Sequence, residues 1–418
     1  MPPLALDTFD LAPGEAQRRF REAARSGNPT WLWPHIAVEQ WAEGLERIVA
    51  VTREVMTQGA SNRLLEGDAA AIGLAGYTSG MGPLLGHWLE TGQARASPEV
   101  AAVLALHLEH NRLRMARMEG RLLDISGALA AHDIRHTVFK GMHTAYAYFP
   151  EPGARPLADI DLLVAPEKVP RAGEVLGARG FKPGVARPYP AQRTWRTIDS
   201  ASEPRSLCFV HTDDPWSVDL HSSLDRRYAA AAPIIRLGEA ARVCGTEPSP
   251  LSSAARVLSQ PVLLLQLAAH ASCGLESLNL LRLVELALVA RADVAAERLS
   301  WDEFVGAAER AGGLGHVYPA LALCEQLVPG TVPAEVLERA HGDAPPTVRR
   351  VIGPLTPATA HRVLRCSIAE RFMWAPSRWA IARQVVQEAF PPGSGSPLAL
   401  ARIYRARLWR LARRTLTN

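Results

Sequence analysis

The segment Asp159–Val164 constrains the fold more than any other part of the chain. Acidic and apolar side chains alternate over its first residues, and its last three residues are all apolar. Successive side chains of a β-strand point to opposite faces of its sheet, so the pattern predicts a strand with one acidic and one apolar face. Asp159 and Asp161 then lie side by side, and their repulsion costs about 1–3 kcal/mol. A divalent cation between the carboxylates would offset that cost, although the spacing also fits a strand whose acidic face is merely solvated. The segment therefore predicts a sheet with a candidate metal site on one face.

A second candidate strand, residues 216–221, carries Asp219 and His221 on one face. If it lies beside the first strand, Asp219 completes a group of three carboxylates that can hold two magnesium ions. Both strands belong to a region of mixed helix and strand signals, which begins with the β-forming residues 137–139 and is typical of an α+β unit.

Helical patterns flank this region on both sides. At 418 residues the chain is long enough for two or three folding units. An apolar stripe begins after Ser97, an N-cap residue followed by proline, and predicts a helix that ends near His132. Beyond Ser252 the pattern is helical, with no strand signal of comparable strength. We therefore expect a helical N-terminal domain (1–133), a core (134–250), a helical C-terminal domain (251–390), and a linker with a basic C-terminal helix (391–418).

Positive charge is concentrated near the C-terminus. The net charge of the chain is +4, yet eleven arginines follow His361 against only Glu370 and Glu388. These arginines fit the exposed side of an amphipathic helix, and they also fit a surface for a polyanionic acceptor such as RNA. Nucleic acid is therefore a candidate partner of this tail.

The sequence does not have the patterns of a membrane or secreted protein. No apolar run approaches the roughly 18–20 residues of a membrane span. The first 30 residues combine acidic side chains with no cationic start before an apolar segment, so they predict no secretory signal. We expect a cytoplasmic protein without a membrane partner.

The segments around the acidic strand resemble those of a known family. They are Val138–Gly141, Tyr148–Pro150, Arg155–Pro156, Asp159–Val164, Gly180–Phe181 and Val218–His221. Together they resemble the uncharacterised nucleotidyltransferase family of the DNA polymerase β-like superfamily, closely over residues 137–224. A weaker resemblance continues through residues 263–288, where His270 and Glu285 stand at positions that look like the histidine and the acidic position of the family.

The resemblance implies a fold and a reaction. The fold is α+β, with a mixed-sheet, polymerase-β-like core between helical N-terminal and C-terminal domains. The reaction is a two-metal transfer of a nucleoside monophosphate from an NTP to an acceptor hydroxyl or phosphate, with Mg²⁺ or Mn²⁺ as cofactor and pyrophosphate as the leaving group. By that analogy Asp159 and Asp161 bind both metals, and Asp219 binds the metal that activates the acceptor.

The resemblance also implies which residues bind the nucleotide. Many members of the superfamily carry Gly-Ser where this chain has Lys140-Gly141, with Thr144 behind them. We interpret the pair as a variant phosphate grip, in which Gly141 permits close backbone approach and Lys140 supplies charge. Arg155 is functional by its family position, and His221 is expected to orient the carboxylate on its own strand or to contact the substrate.

Three functions fit this set of residues. The first is the nucleotidyltransferase described above, acting on an unidentified acceptor. The second is a toxin-like or peptide-tailoring transferase, which differs only in acceptor: tRNA, a protein or peptide, or a small natural product. The third is a nucleotide-binding or protein-interaction module that keeps the fold without catalysis. The three carboxylates favour an enzyme, because a site without catalysis has little reason to retain a repulsive cluster.

Overall fold

The computed structural model describes residues 36–188, 191–197, 215–229, 232–274, 278–360 and 372–389, with a few isolated positions outside these ranges. The predicted linker and basic helix at 391–418 lie outside the described ranges.

Four helices of the described residues precede the sheet. They are α1 (Val38–Gln58), α2 (Ala69–Ser79), α3 (Gly82–Glu90) and α4 (Pro98–Ala131), and the short parallel strands β1 (Leu64–Leu65) and β2 (Arg95–Ala96) join them. Helix α4 begins as predicted, because the Ser97 side chain accepts a hydrogen bond from the Val100 N–H and proline occupies the first turn. Helix α3 packs closely on α4, since a Cβ at Gly86 would overlap the carbonyl oxygen of Leu104.

Nine further strands follow within the described ranges. They are β3 (His136–Phe139), β4 (Asp159–Val164), β5 (Phe181–Pro188), β6 (Ala191–Thr197), β7 (Ser217–His221), β8 (Arg226–Arg227), β9 (Ile234–Ile235), β10 (Thr246–Pro248) and β11 (Arg256–Leu258). Seven of them form one sheet in the order β10-β11-β3-β4-β7-β6-β5. The sheet is mixed, as predicted, because β4 runs parallel to β7 and β3 parallel to β11, whereas the other neighbours are antiparallel. Strands β8 and β9 pair separately.

The prediction that only helices follow Ser252 is wrong at one place. Strand β11, Arg256–Leu258, pairs with β10 and reaches β3 through a single register position, Arg256 opposite Thr137. A strand of three residues is too short to produce an alternating pattern that sequence analysis can detect.

The remaining helices surround the sheet or form the C-terminal part. They are α5 (Gly141–Ala147), α6 (Val169–Ala178), α7 (Leu237–Cys244), α8 (Val262–Cys273), α9 (Leu280–Ala295), α10 (Trp301–Arg310), α11 (Leu314–Leu327), α12 (Ala334–Asp343), α13 (Pro346–Ile352) and α14 (Arg378–Ala389). Among the residues that the structure describes, no helix combines the length and apolarity needed to cross a bilayer.

Two hydrophobic clusters organise these elements. One lies on the apolar face of β4 and β7 and includes Ile160, Leu162 and Leu220, packed with residues of α4 and α6. The other joins the buried residues of α1–α3 to those of α8–α13 in one continuous core. The helices that precede the sheet and those that follow it therefore pack together, and the acidic face of the sheet is left for the candidate site.

Candidate active site

Asp161 and Asp219 face each other across the two central strands of the sheet. Strands β4 and β7 pair in parallel, with Asp161 opposite Asp219 and Asp159 opposite Ser217. Side-chain alternation then puts the three carboxylates and His221 on one face. Ligand atoms of Asp161, Asp219 and His221 lie within 4.8 Å of one another, and all three residues are buried. The pattern of alternating residues in the sequence therefore corresponds to a compact group of polar side chains.

Asp161 contacts two basic side chains. Nζ of Lys140 donates to its Oδ1, and Nε2 of His221 lies 2.8 Å from the same oxygen. Burial acts to raise the pKa of Asp161, but the Lys140 charge and the His221 hydrogen bond outweigh it and hold that pKa below the usual range. Burial lowers the pKa of His221, so its ring is uncharged at neutral pH and its Nε2–H donates to Asp161. His221 therefore bonds to Asp161, not to Asp219 on its own strand.

Lys140 adopts a backbone conformation that few residues other than glycine adopt. Its φ is 54° and its ψ is −136°, and such a conformation costs about 1–3 kcal/mol. The residue joins β3 directly to α5 and is only 7% exposed. The strained turn therefore places the Lys140 ammonium against the carboxylates, which explains why a lysine that follows a strand is buried.

Asp159 and Asp219 differ from Asp161 in their partners. Burial and then the charge of Asp161 raise the pKa of Asp159 to about 7. Oδ2 of Asp219 accepts a hydrogen bond of 2.6 Å from Nε2 of Gln192, whereas its Oδ1 has no hydrogen-bond partner among the described residues. Gln192 comes from β6, and sequence analysis missed it because the polar segment around it has no strong strand signal.

The group fits a hard divalent cation. Mg²⁺ and Mn²⁺ prefer carboxylate oxygens, which the three aspartates supply. A buried carboxylate oxygen without a partner, such as Oδ1 of Asp219, is costly unless a ligand binds it. The raised pKa of Asp159 has the same physical origin, because negative charge is concentrated where little water can reach it. Asp161 and Asp219, whose ligand atoms lie within 4.8 Å of one another, would hold such a cation, and Asp159 lies on the same face of the sheet outside that group.

Arg155 forms a buried ion pair that links the sheet region to the C-terminal helices. Its Nε and Nη2 donate to the two carboxylate oxygens of Glu285 on α9, at 2.9 and 3.0 Å. Thr144 on α5 also donates to Glu285. Gly141 lies against this pair, since a Cβ there would overlap the Arg155 guanidinium and the Leu157 side chain. The structure thus brings the predicted residues Gly141, Thr144 and Arg155 together and adds Glu285 to them.

A cavity of about 700 Å³ lies on the other face of the sheet. It is lined by residues of α6, β5 and β6 and by Leu220. Leu220 points away from Asp219, its neighbour along β7, because alternate residues of a strand face opposite sides. Gln192 also lines the cavity. Most of the lining therefore lies on the face opposite the carboxylates, and Gln192, which donates to Asp219, is shared by the cavity and the candidate site.

Comparison with known proteins identifies a family. A family model described as an uncharacterised nucleotidyltransferase matches residues 77–329, from α2 to just beyond α11. The match includes the three carboxylates, Lys140 and Glu285, and it confirms the resemblance seen in the sequence. No curated protein and no solved structure is similar to the chain at a significant level. Because the match covers more than half of its length, the chain belongs to the uncharacterised nucleotidyltransferase family.

Proposed function

We propose that the protein is a nucleotidyltransferase that depends on Mg²⁺ or Mn²⁺, with a polymerase-β-like core and an NTP as substrate. One observation carries the proposal: Asp161 and Asp219 converge in a buried group beside Asp159, and Oδ1 of Asp219 has no hydrogen-bond partner in the part of the chain that the structure describes. Family membership supports the same class of reaction.

The proposed reaction transfers a nucleoside monophosphate. An oxygen of the acceptor forms a new bond to the α-phosphorus of the NTP, while the bond from that phosphorus to the bridging oxygen of the β-phosphate breaks. Pyrophosphate leaves with the bonding electrons, and the acceptor proton passes to water. Asp159, Asp161 and Asp219 would hold a divalent cation, which would supply charge neutralisation and a lowered pKa at the acceptor hydroxyl.

The residues around the carboxylates have separate tasks in this proposal. His221 holds Asp161 in a fixed orientation, and Gln192 does the same for Asp219. The space beside Gly141 is filled by the Arg155 guanidinium and the Leu157 side chain, so the expected role of Gly141 in backbone approach of the phosphates is replaced by a role in packing Arg155. Lys140 supplies positive charge for the phosphates.

An enzyme is favoured over a binding module by the energetic cost of the site. A buried carboxylate oxygen without a hydrogen bond costs about 1–3 kcal/mol. A raised pKa at Asp159 indicates a further cost of ionising that group in the folded state. A fold maintained only for protein interaction gains nothing from these penalties, whereas a metal-dependent reaction requires the carboxylates that cause them.

The sharpest test is the Asp219→Asn variant. Asparagine at 219 keeps an oxygen that accepts from Gln192 and leaves the contact between Lys140 and Asp161 intact, so this variant is a milder change than Asp161→Asn, which removes the negative charge that faces the Lys140 ammonium. We expect pyrophosphate release in the presence of Mg²⁺ and NTP to fall by several orders of magnitude, because a ligand of the cation is lost. The exposed Asp302→Asn serves as the matched control and should retain full activity.

Undiminished release by the Asp219→Asn variant at saturating Mg²⁺ would contradict the proposal. The acceptor is identified separately, by incubating the enzyme with cell lysate, Mg²⁺ and each labelled NTP in turn. The proposal expects the label on tRNA, on a protein or peptide, or on a small molecule, and expects the Asp219→Asn variant to transfer none. Equal labelling by this variant would again exclude the three carboxylates as the site.

A further inference from the structure

The cavity of about 700 Å³ beside the hairpin β5–β6 has no role in the proposed function. It lies between helix α6 and the sheet, with Gly173 and Gly177 on the helix side and Trp195 and Leu220 on the sheet side. Protein interiors leave few voids larger than a water molecule. Small-molecule sites, in contrast, have volumes of about 300–1,000 Å³ and mostly apolar walls. The volume and the walls of this cavity are therefore those of a ligand site.

Two glycines of α6 make room for the cavity. Gly173 and Gly177 are four residues apart, so they share one face of the helix. A Cβ at Gly173 would lie 2.9 Å from Cζ2 of Trp195, so this glycine lets the indole pack directly on the helix. A Cβ at Gly177 would meet nothing within 4 Å, although this residue lines the cavity. The helix therefore presents a flat surface at Gly177, with space beside it that no described side chain fills.

Contacts outside the cavity hold its walls in place. Phe181, a buried lining residue at the start of β5, packs against Trp216, with ring centroids 6.0 Å apart. The guanidinium carbon of Arg121 lies 5.2 Å from the centroid of the Phe181 ring. Arg121 also donates a hydrogen bond of 2.8 Å to the carbonyl oxygen of Arg179, the residue after α6. Helix α4, which carries Arg121, thus fixes both β5 and α6, and the cavity is formed before any ligand binds.

The charged side chains at the cavity favour an anion. Arg187 and Arg193 line it, and neither forms an ion pair with any described residue. Arg187 lies opposite Gln192, the residue before Arg193, so both arginines stand at the same end of the hairpin. The acidic residue of the described lining, Glu174, pairs with Arg171 of its own helix. One end of the cavity therefore carries excess positive charge, while its walls are apolar.

Trp195 adds an unused donor to this arrangement. Its side chain is 7% exposed, and its Nε1 has no hydrogen-bond partner among the described residues. Trp195 and Arg193 are two residues apart on β6, so they lie on the same face of the sheet, and Arg193 is opposite Leu220 of β7. A buried N–H without an acceptor is unfavourable. The cavity therefore favours a ligand that brings an oxygen acceptor to this face.

We propose that this cavity binds a small carboxylic acid with an apolar body. Its carboxylate meets Arg187 and Arg193, because a planar guanidinium binds a carboxylate through two parallel hydrogen bonds. Its acyl or aromatic body fills the space between Gly177 and Leu220, where burial of apolar surface drives binding. A nucleic-acid backbone is disfavoured, because apolar walls offer nothing to replace the water around its phosphates. The inference does not depend on the proposed function, since none of its measurements uses a nucleotide or a metal.

The first measurement is isothermal titration calorimetry of the full chain with decanoate and with decylamine, both below the concentrations at which they form micelles. The two probes share one apolar chain and carry opposite charges. Decanoate should bind saturably, and decylamine at least about tenfold more weakly, because its ammonium meets two arginines. Equal affinity for the two probes would refute the carboxylate site. Naphthoate is titrated in parallel, and whichever acid binds more tightly identifies the body of the ligand as acyl or aromatic.

Gly177→Leu tests the position of the apolar body. Leucine fills the cavity from a position where a Cβ meets no atom, so decanoate binding should weaken at least about tenfold. The melting temperature should equal or exceed that of the wild type, because leucine favours a helix more than glycine does. The matched control is Ala178→Leu, an exposed residue of the same helix outside the lining, which should bind within about twofold of the wild type. Unchanged binding by Gly177→Leu, or a melting temperature far below that of the wild type, would overturn the site.

The double variant Arg187→Gln with Arg193→Gln tests the charged end. Its affinity for decanoate should fall at least about tenfold, since the charge-assisted contacts are lost, whereas its affinity for the uncharged decanol should stay within about twofold. Arg196→Gln, an exposed residue of β6 outside the lining, is the matched control and should bind both probes like the wild type. Equal losses for decanoate and decanol would show that the two arginines support the fold and do not bind the carboxylate, and the inference would be wrong.

Discussion

Lys140→Met should make the candidate metal site bind a divalent cation more tightly. In the structure, the Lys140 ammonium donates to Oδ1 of Asp161 and so occupies one side of a carboxylate that the proposed function assigns to a metal. A cation that binds there must displace the ammonium or share the oxygen with it. Methionine has a similar length and no charge, so the variant removes the competitor while largely conserving the volume.

The size of the effect follows from the charge removed. Two unit charges about 4 Å apart interact by about 4 kcal/mol at the effective dielectric constant of about 20 that describes protein sites. When a cation binds to the wild type, the displaced Lys140 ammonium recovers part of this energy by moving into solvent or to a phosphate. We therefore expect the variant to bind the cation more favourably by about 1.4–2.8 kcal/mol. This gain corresponds to a 10- to 100-fold increase in affinity for the cation.

The same substitution should destabilise the protein when no metal is bound. Lys140 and Asp161 are both buried, with side chains 8% and 3% exposed. Removing one member of a buried ion pair costs about 3–5 kcal/mol, because the other charge is left without a partner. The variant should therefore melt below the wild type in EDTA and recover most of the difference when Mn²⁺ is added.

The assay is a titration of free Mn²⁺ by electron paramagnetic resonance in the absence of nucleotide, with parallel thermal melts. Lys168→Met is the matched control, because Lys168 is exposed and the sequence has only three lysines. Equal or weaker Mn²⁺ binding by Lys140→Met would refute the reasoning, because an ammonium that does not compete with the cation cannot lie where the structure places it.

Three other substitutions test the surrounding network. Asp159→Asn should raise the melting temperature in EDTA at pH 8 and leave it nearly unchanged at pH 4. The pKa of Asp159 is about 7 in the folded protein and lower in the unfolded chain. Between these two pKa values, the free energy of unfolding of the wild type falls by up to about 1.4 kcal/mol per pH unit as the pH rises. Thermal melts of the wild type and the variant between pH 4 and pH 8 check this pH dependence, and the same pH dependence in both proteins would show that the pKa of Asp159 is not raised. Gly141→Ala should lower activity and stability together, because a Cβ would overlap Arg155; a fully active variant would contradict this packing. Glu285→Gln should cost about 3–5 kcal/mol in thermal or urea unfolding, whereas Glu309→Gln, which breaks an exposed pair, should cost less than about 1 kcal/mol. Similar costs for both would show that burial does not strengthen the Arg155 pair.

The two central strands are predictable from sequence because their signals are local. Alternation alone predicts β4 over Asp159–Val164, and these are the bounds that the structure has. The pairing of β4 with β7 follows from matching faces, since each strand has one polar side and one apolar side. The N-cap at Ser97 likewise predicts the start of α4. Each of these features depends on residues close together in the chain.

The hairpin β5–β6 has no comparable signal. Strand β5 contains Pro183 and Gly184, which are unfavourable in strands, and β6 is mostly polar, with Trp195 as its buried apolar residue. These strands form through their pairing with β7, so tertiary context outweighs local propensity. The role of Gln192 follows from that pairing, and no pattern in the sequence predicts it.

Ion pairing in this chain is equally hard to predict, because the partners are far apart in sequence. The chain has 43 arginines and 42 acidic residues, so composition gives no reason to pair Arg155 with Glu285, which lies 130 residues away. The fold brings them together by placing Glu285 of α9 beside the segment of Arg155 and beside Thr144 of α5. A resemblance to the family marked the position of Glu285 in the sequence, but its physical task became visible only in the structure.

The link between Arg155 and Glu285 changes what should be regarded as the functional unit. The loop of Gly141 and the ammonium of Lys140 are held from one side by the sheet and from the other by Arg155, which Glu285 fixes through both of its carboxylate oxygens. Because α9 supplies Glu285 and packs in the same core as the N-terminal helices, the geometry at the carboxylates depends on helices from both ends of the chain. The family match extends over the same elements, from residue 77 to residue 329, and does not end with the sheet. The helices therefore help to position Lys140 and Gly141, to which we assign phosphate binding in the proposed function, and on that proposal substitutions in α9 should change nucleotide affinity as directly as substitutions beside the carboxylates.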